Sequence, residues 1–89
     1  MNKLQAAACA GFLALERPEQ MDRLQSEGVY IGKLKSGEGT TLLYQYESIY
    51  VEVVYSVHRT HVDAVHCFAD TVVLDRYFSS PAFDTDGLV

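Results

Sequence analysis

The chain has 89 residues, of which 48% are hydrophobic, 11% aromatic and 21% charged, and its formal net charge at pH 7 is −5. This is the composition of one globular domain rather than of a disordered segment. The acidic balance, without a cluster of lysine or arginine, argues against nucleic acid and anionic membranes as partners. A domain this short buries only roughly 60 to 65% of the surface that its unfolded form exposes, so a second copy would add stability.

The first third of the chain has the composition of a helix that breaks once. Residues 2–16 are strong helix formers. Pro18 ends this helix near Arg17 and suits the first turn of a second one, which ends at Gly28. The larger apolar side chains of the first helix recur at intervals of three or four, which gathers them on one face: Leu4, Ala8, Phe12 and Leu15.

Neither the N-terminal stretch nor the cysteines carry a recognised signature. The apolar run before Glu16 has no small-residue cleavage site and falls short of the ~18 apolar residues that span a bilayer, so we predict a cytoplasmic protein. Cys9 and Cys67 form no Cys-x-x-Cys pair, which predicts that both are small buried hydrophobic residues.

From Gly28 to Phe68 the hydrophobic period changes to two, and β-branched and aromatic residues dominate. A glycine-rich turn at 36–39, a reversal at Glu47 and Ser48, and a turn at 58–61 divide this region. The predicted strands are 29–35, 40–46, 49–57 and 62–68. The order of helix, four strands and helix favours an antiparallel meander.

The hydrophobic pattern predicts the register of the second and third strands. A reversal at Glu47 and Ser48 places Leu42 opposite Val53 on an almost wholly apolar face, and Leu43 opposite Glu52 on a mixed face. Shifting the register by one residue would bury Glu52 without a partner, at a cost of several kcal/mol. A four-residue turn then directs alternate residues of the fourth strand to the core: Val62, Ala64, His66 and Phe68.

The C-terminal third is less regular. Asp70 can cap a short helix over 71–78, although Val72 and Val73 favour a strand there. Residues 79–89 have little periodicity and are predicted to be a mobile C-terminal tail. We therefore predict a single α+β domain over 1–78, with an N-terminal helix broken near Arg17, a four-stranded antiparallel meander and a short C-terminal helix in a two-layer sandwich.

The segment 43–55 reads Leu-Tyr-Gln-Tyr-Glu-Ser-Ile-Tyr-Val-Glu-Val-Val-Tyr. It resembles the signature of a group of short bacterial hypothetical proteins, in which this hairpin is followed by a phenylalanine and a Leu-x-x-Tyr sequence. Here those elements are Phe68 and 74–77, and 27–30 fits the group's entry to the first strand. No activity is assigned to the group, so the resemblance implies a shared fold and carries over no catalytic residue.

The sequence has no recognisable catalytic constellation. Glu52, between Tyr50 and Val54 along the third strand, could act as a general acid or base, but no partner for it can be identified. No serine, cysteine or lysine lies in a nucleophile motif, and the glycine spacing matches no phosphate-binding loop. We predict that the protein is not an enzyme and carries no cofactor.

The closest approach to a metal site is a group of four residues: His58, His61, Asp63 and His66. Zinc requires three ligands that converge at about 2.0 to 2.1 Å from the ion. The predicted hairpin points His66 to the core and leaves His58 and His61 at its tip, so we predict solvated turn histidines. A small-molecule or metal-binding domain that uses His58, His61 and His66 is the alternative.

Six tyrosines exceed what one small core readily buries with each hydroxyl satisfied, and tyrosine is enriched at protein interfaces. The predicted outer face of the sheet carries a candidate interface: Leu43, Tyr50, Glu52, Val54 and Val65. We therefore predict an interaction module, a homodimer or a complex with a protein partner, through this second sheet face or an edge strand. In the alternative, the C-terminal helix or the tail covers this face.

Overall fold

The computed structural model describes residues 2–37, 39–57, 61–81 and 83–84. Their elements are α1 (Lys3–Ala14), α2 (Arg17–Glu27), β1 (Val29–Ser36), β2 (Gly39–Tyr46), β3 (Ile49–Ser56), β4 (Val62–Phe68), α3 (Thr71–Ser79) and β5 (Phe83–Asp84). The sheet is antiparallel with the strand order β4-β3-β2-β1-β5. The predicted α+β fold, with N-terminal helix on a meander and a short C-terminal helix, is confirmed.

Local signals fix the ends of the first two helices. The Asn2 side chain accepts a hydrogen bond from the Gln5 backbone, and the Gln5 side chain accepts one from the Asn2 backbone, so α1 begins with a capping box. The chain leaves the helical conformation at Leu15, and α2 starts at Arg17 with Pro18 in its first turn. The predicted break near Arg17 is confirmed.

The core lies between these two helices and one face of the sheet. Tyr46 pairs with Ile49 and Leu42 pairs with Val53, which is the predicted register of β2 and β3. The rings of Phe12 and Tyr46 pack with their centroids 5.1 Å apart. The buried members of this cluster are Cys9, Phe12, Leu24, Tyr46, Ile49, Val51 and Val53.

The predicted orientation of β4 is wrong for most of the strand. Val65 and Cys67 pair with core residues of β3 and pack against the helix-side cluster, so Val65 does not belong to the second face. His66 instead lies opposite Glu52 on that second face. The register shifts between the Val54 and Tyr55 pairs, where Asp63 is an extra residue. A single extra residue reverses which side chains of the strand face the core. The prediction assumed a regular hairpin without such a bulge.

The C-terminal segment packs on the second face of the sheet. Residues 71–78 are helical, with the Asp70 side chain accepting a hydrogen bond from the Val72 backbone at 2.9 Å. β5 pairs with β1 at Lys33 and Leu34, so part of the predicted tail extends the sheet, while residues 85–89 lie outside the described ranges. α3 adds a third layer to the two that the sequence predicted, because its Tyr77 contacts Glu52 on the face opposite the core.

Candidate functional site

The structure places four of the five predicted interface residues on the second face of the sheet. Leu43 is opposite Glu52, and Tyr50 stacks on Phe68 with ring centroids 5.5 Å apart. Val54 lies further along the same face of β3 and is partly buried. Leu43 is fully buried within the chain, so it offers no surface to a partner in this conformation. The alternative in which the C-terminal segment covers part of this face is therefore the one observed.

A cleft of about 280 Å³ lies between α3 and the sheet. Among the described residues its lining consists of Leu34, Glu52, Val73 and Tyr77. The Tyr77 hydroxyl donates a hydrogen bond of 2.5 Å to Oε2 of Glu52. Within the described ranges, no donor reaches the other carboxylate oxygen, Oε1. The cleft thus combines apolar walls with one carboxylate that keeps hydrogen-bonding capacity.

Two different periodicities bring these residues together. Strand alternation turns Glu52 away from the core that Val51 and Val53 enter. On α3, Val73 and Tyr77 are four residues apart and therefore share a face. From the sequence alone Glu52 was an acid without an identifiable partner, and Tyr77 was not among the candidate site residues. The available signal was the helical spacing in 71–78, and it could not indicate which sheet face the helix would cover.

The histidines do not assemble into the predicted alternative site within the described residues. His61 Nε2 lies 2.7 Å from Asp63 Oδ1, and both side chains are largely exposed to solvent. His66 is exposed on β4, and His58 lies outside the described residues. In the part of the chain that the structure describes, no three His, Cys, Asp or Glu side chains converge as metal ligands would.

Cys9 on α1 and Cys67 on β4 meet although they are 58 positions apart in the sequence. α1 packs against β4, which brings the Cys9 thiol beside that of Cys67. Burial, together with the neighbouring Cys9, raises the pKa of Cys67 from its ordinary value of 9.0 to about 12. The thiol is therefore protonated, and a poor nucleophile, at neutral pH.

The raised pKa of the Cys67 thiol predicts that the folded protein loses stability in alkali. The unfolded chain releases the Cys67 proton near pH 9, whereas the folded chain holds it to about pH 12. The contribution of the protonated thiol to the free energy of unfolding is therefore complete below pH 9 and is lost as the pH rises toward 12. In urea unfolding between pH 8 and 11, the Cys67→Ala variant should show a shallower decline of the midpoint than the unaltered protein. Burial also raises the pKa of Tyr44, so some decline above pH 10 should persist. An identical pH dependence of both proteins would contradict this assignment.

The side of α1 that faces away from the sheet forms a second candidate site, which we call the outer α1 surface. The exposed fractions of Leu4 and Leu13 are 79% and 48%. No charged residue occurs between Lys3 and Glu16. The exposed apolar members of this surface are Leu4, Ala7, Ala10, Leu13 and Ala14. None of the helices in the described ranges has the length and hydropathy to cross a membrane, and α1 has only 12 residues.

Comparisons of the chain with protein-family models, with curated proteins and with solved structures found no match. The resemblance of the segment 43–55 to a group of bacterial proteins therefore stays a prediction. The two candidate sites rest on the geometry of this chain: the outer α1 surface and the cleft beside Glu52 and Tyr77.

Proposed function

We propose that the protein is a self-associating interaction module, and that two copies meet through the outer α1 surface. The observation that carries the proposal is the exposure of a helix that is apolar on all sides. α1 buries only Cys9 and Phe12, and Leu4 on its other side is 79% exposed. A helix with apolar residues all round is normally covered on all sides.

The spacing of the small residues suits the packing of one helix on another. Ala7, Ala10 and Ala14 are three and four positions apart, so they form a stripe on the exposed side of α1, with Leu4 and Leu13 flanking it. Alanines at a contact allow two helix axes to approach to the short end of the usual separation, roughly 8 Å. The flanking leucines would then pack over the alanine stripe of the other copy.

The charge distribution favours a second copy as the partner. All twelve acidic residues lie at Glu16 or beyond, so the outer α1 surface itself carries no carboxylate, and the acid that lines a pocket beside Ala7, Glu47, shares that pocket with Arg23. An anionic membrane surface would repel a chain with a net charge of −5, and Lys3 is the only basic residue on α1. A contact between identical surfaces also produces a closed dimer.

Other surfaces suggested by the sequence are less suited to this contact. Leu43 is fully buried, and Tyr77 of α3 engages Glu52 on the same sheet face. At the β4 edge, Arg17 Nη1 donates a hydrogen bond of 3.3 Å to the Val62 carbonyl, and Asp63 forms the bulge beside it. Bulges and charges are features that protect an edge from strand pairing. Since both cysteines are free, we place the module in a reducing compartment, the cytosol.

Three variants that each add one negative charge at an exposed position test the contact. Ala10→Glu changes the outer α1 surface, Gln45→Glu changes the second sheet face, and Gln25→Glu changes α2. In sedimentation equilibrium, the unaltered protein, Gln25→Glu and Gln45→Glu should be dimers. Ala10→Glu should be a monomer, with its dissociation constant raised at least about tenfold, because each dimer would bury two unpaired carboxylates.

Two results from the same three variants and the unaltered protein would contradict the proposed contact. A monomeric unaltered protein at high concentration would contradict self-association. Dimers that dissociate with Gln45→Glu but not with Ala10→Glu would move the contact to the second sheet face. Circular dichroism of each variant verifies that the fold is retained, which is expected because all three positions are exposed.

A further inference from the structure

We propose that the cleft between α3 and the sheet is a binding site for a small organic cation, a protonated amine with an apolar body. The site is independent of the outer α1 surface and of self-association. Its parts are the Glu52 carboxylate, the Tyr77 hydroxyl, and the apolar side chains of Leu34 and Val73.

The size and the apolar lining of the cleft limit the size and shape of the apolar part of the ligand. Its volume of about 280 Å³ is close to the lower end of known small-molecule sites and nearly twice that of a cavity which holds benzene, roughly 150 Å³. Leu34 and Val73 offer hydrocarbon contact from the sheet and from the helix. A single ring or a short branched chain therefore fits, whereas a nucleotide does not.

The Glu52 carboxylate and the Tyr77 hydroxyl favour a ligand with a positive charge. Oε2 of Glu52 already accepts the Tyr77 hydroxyl hydrogen, and this bond holds the carboxylate in one orientation. Oε1 has no donor among the described residues and can accept a hydrogen bond from an ammonium group. Charge-assisted hydrogen bonds of this kind are roughly twice as strong as those between neutral groups. The net charge of −5 adds attraction for cations and repulsion for anions.

A salt bridge does not account for Glu52 on this face of the sheet. Its exposed fraction is intermediate, and among the described residues its recorded side-chain partner is the Tyr77 hydroxyl rather than a lysine or arginine. A hydrophobic residue at this point of β3 would pack directly beneath α3. An acid that is held in place by a buried tyrosine is the arrangement expected of a ligand-orienting group.

Two probes of the same shape test the proposal. The 2-phenylethylammonium ion carries the required charge, and 2-phenylethanol replaces that charge by a neutral hydroxyl. In NMR titrations of the full chain, the ammonium probe should shift the methyl signals of Leu34 and Val73 in a saturable manner. The alcohol should bind about tenfold more weakly, which is the effect of roughly 1.4 kcal/mol.

Three variants test whether the probes bind in this cleft and whether the Glu52 carboxylate selects the ammonium probe. Glu52→Gln should reduce affinity for the ammonium probe about tenfold and leave affinity for the alcohol nearly unchanged, while Asp22→Asn, which removes one exposed acid on α2, should leave both unchanged. Val73→Phe fills the cleft and should abolish binding of both probes even if Glu52→Gln proves unstable. The proposal is overturned if neither probe binds, if both bind equally, or if the shifted signals lie on α1.

Discussion

Replacing Gly39 by alanine is expected to lower the free energy of unfolding by about 2 to 4 kcal/mol. Gly39 begins β2 with a φ of 150°, a backbone conformation that residues with a side chain rarely adopt. A Cβ atom at this position would lie 2.1 Å from the Tyr55 carbonyl oxygen on β3. The Tyr55 carbonyl belongs to the backbone of β3, which is paired with β2. Because neither backbone can move alone, the sheet must distort to accept the methyl group.

The same turn supplies the control. Gly37 has no atom within 4 Å of the place where a Cβ would lie, and its φ is not in the positive range. Gly37→Ala should therefore change the free energy of unfolding by no more than about 0.5 kcal/mol. Urea denaturation of the two variants beside the unaltered protein measures both values. Equal destabilisation by the two substitutions would show that the turn as a whole, rather than the Gly39 backbone, is sensitive.

Truncating Tyr77 to alanine is expected to cost about 3 to 5 kcal/mol, which is typical of a buried aromatic side chain. Tyr77 is only 5% exposed, and its ring packs edge-on against Phe83 at 5.5 Å. The substitution also removes the hydrogen-bond donor of Glu52. Since a domain of this length has a total stability of roughly 4 to 13 kcal/mol, this loss is a large share of the total, and urea denaturation measures it.

Two further variants separate the contributions of the ring and the hydroxyl. Tyr77→Phe keeps the ring and should cost about 1.5 to 3 kcal/mol, because a hydrogen bond to a charged group is lost. Val72→Ala on the same helix removes a side chain that is 63% exposed and should change stability by less than about 0.5 kcal/mol. If Tyr77→Phe had no effect, Glu52 would be satisfied by solvent and the Tyr77 hydroxyl would not orient it.

Most of the core could be predicted because the signals for it are local. Pro18 and Gly28, the predicted end signals of the second helix, lie directly at the ends of α2 in the structure. The alternation on both sides of Glu47 and Ser48 leaves only one register in which Leu42 and Val53 share an apolar face, and the structure has this register.

The candidate sites could be predicted only in part. Strand alternation correctly placed Glu52 on the face away from the core, but Val65 was assigned to the wrong face because one extra residue, Asp63, reverses the pattern. The contact between Glu52 and Tyr77 joins residues 25 positions apart, and nothing in either segment specifies the other. The exposed side of α1 was not recognised, because an apolar helix gives no indication of which side the sheet will cover.

The sequence by itself determined the two N-terminal helices, the first four strands with their antiparallel order, and the pairing of β2 with β3, but not the short strand β5. These features follow from the periodicity and the end signals of contiguous residues, where the backbone geometry fixes which side chains share a face. Only the tertiary structure decided that α3 packs on the second sheet face beside Glu52, that Cys9 meets Cys67, and that Leu4 lies outside the core of its own chain. These outcomes depend on how separate segments pack together, and that packing is the sum of many weak contacts that no single segment encodes.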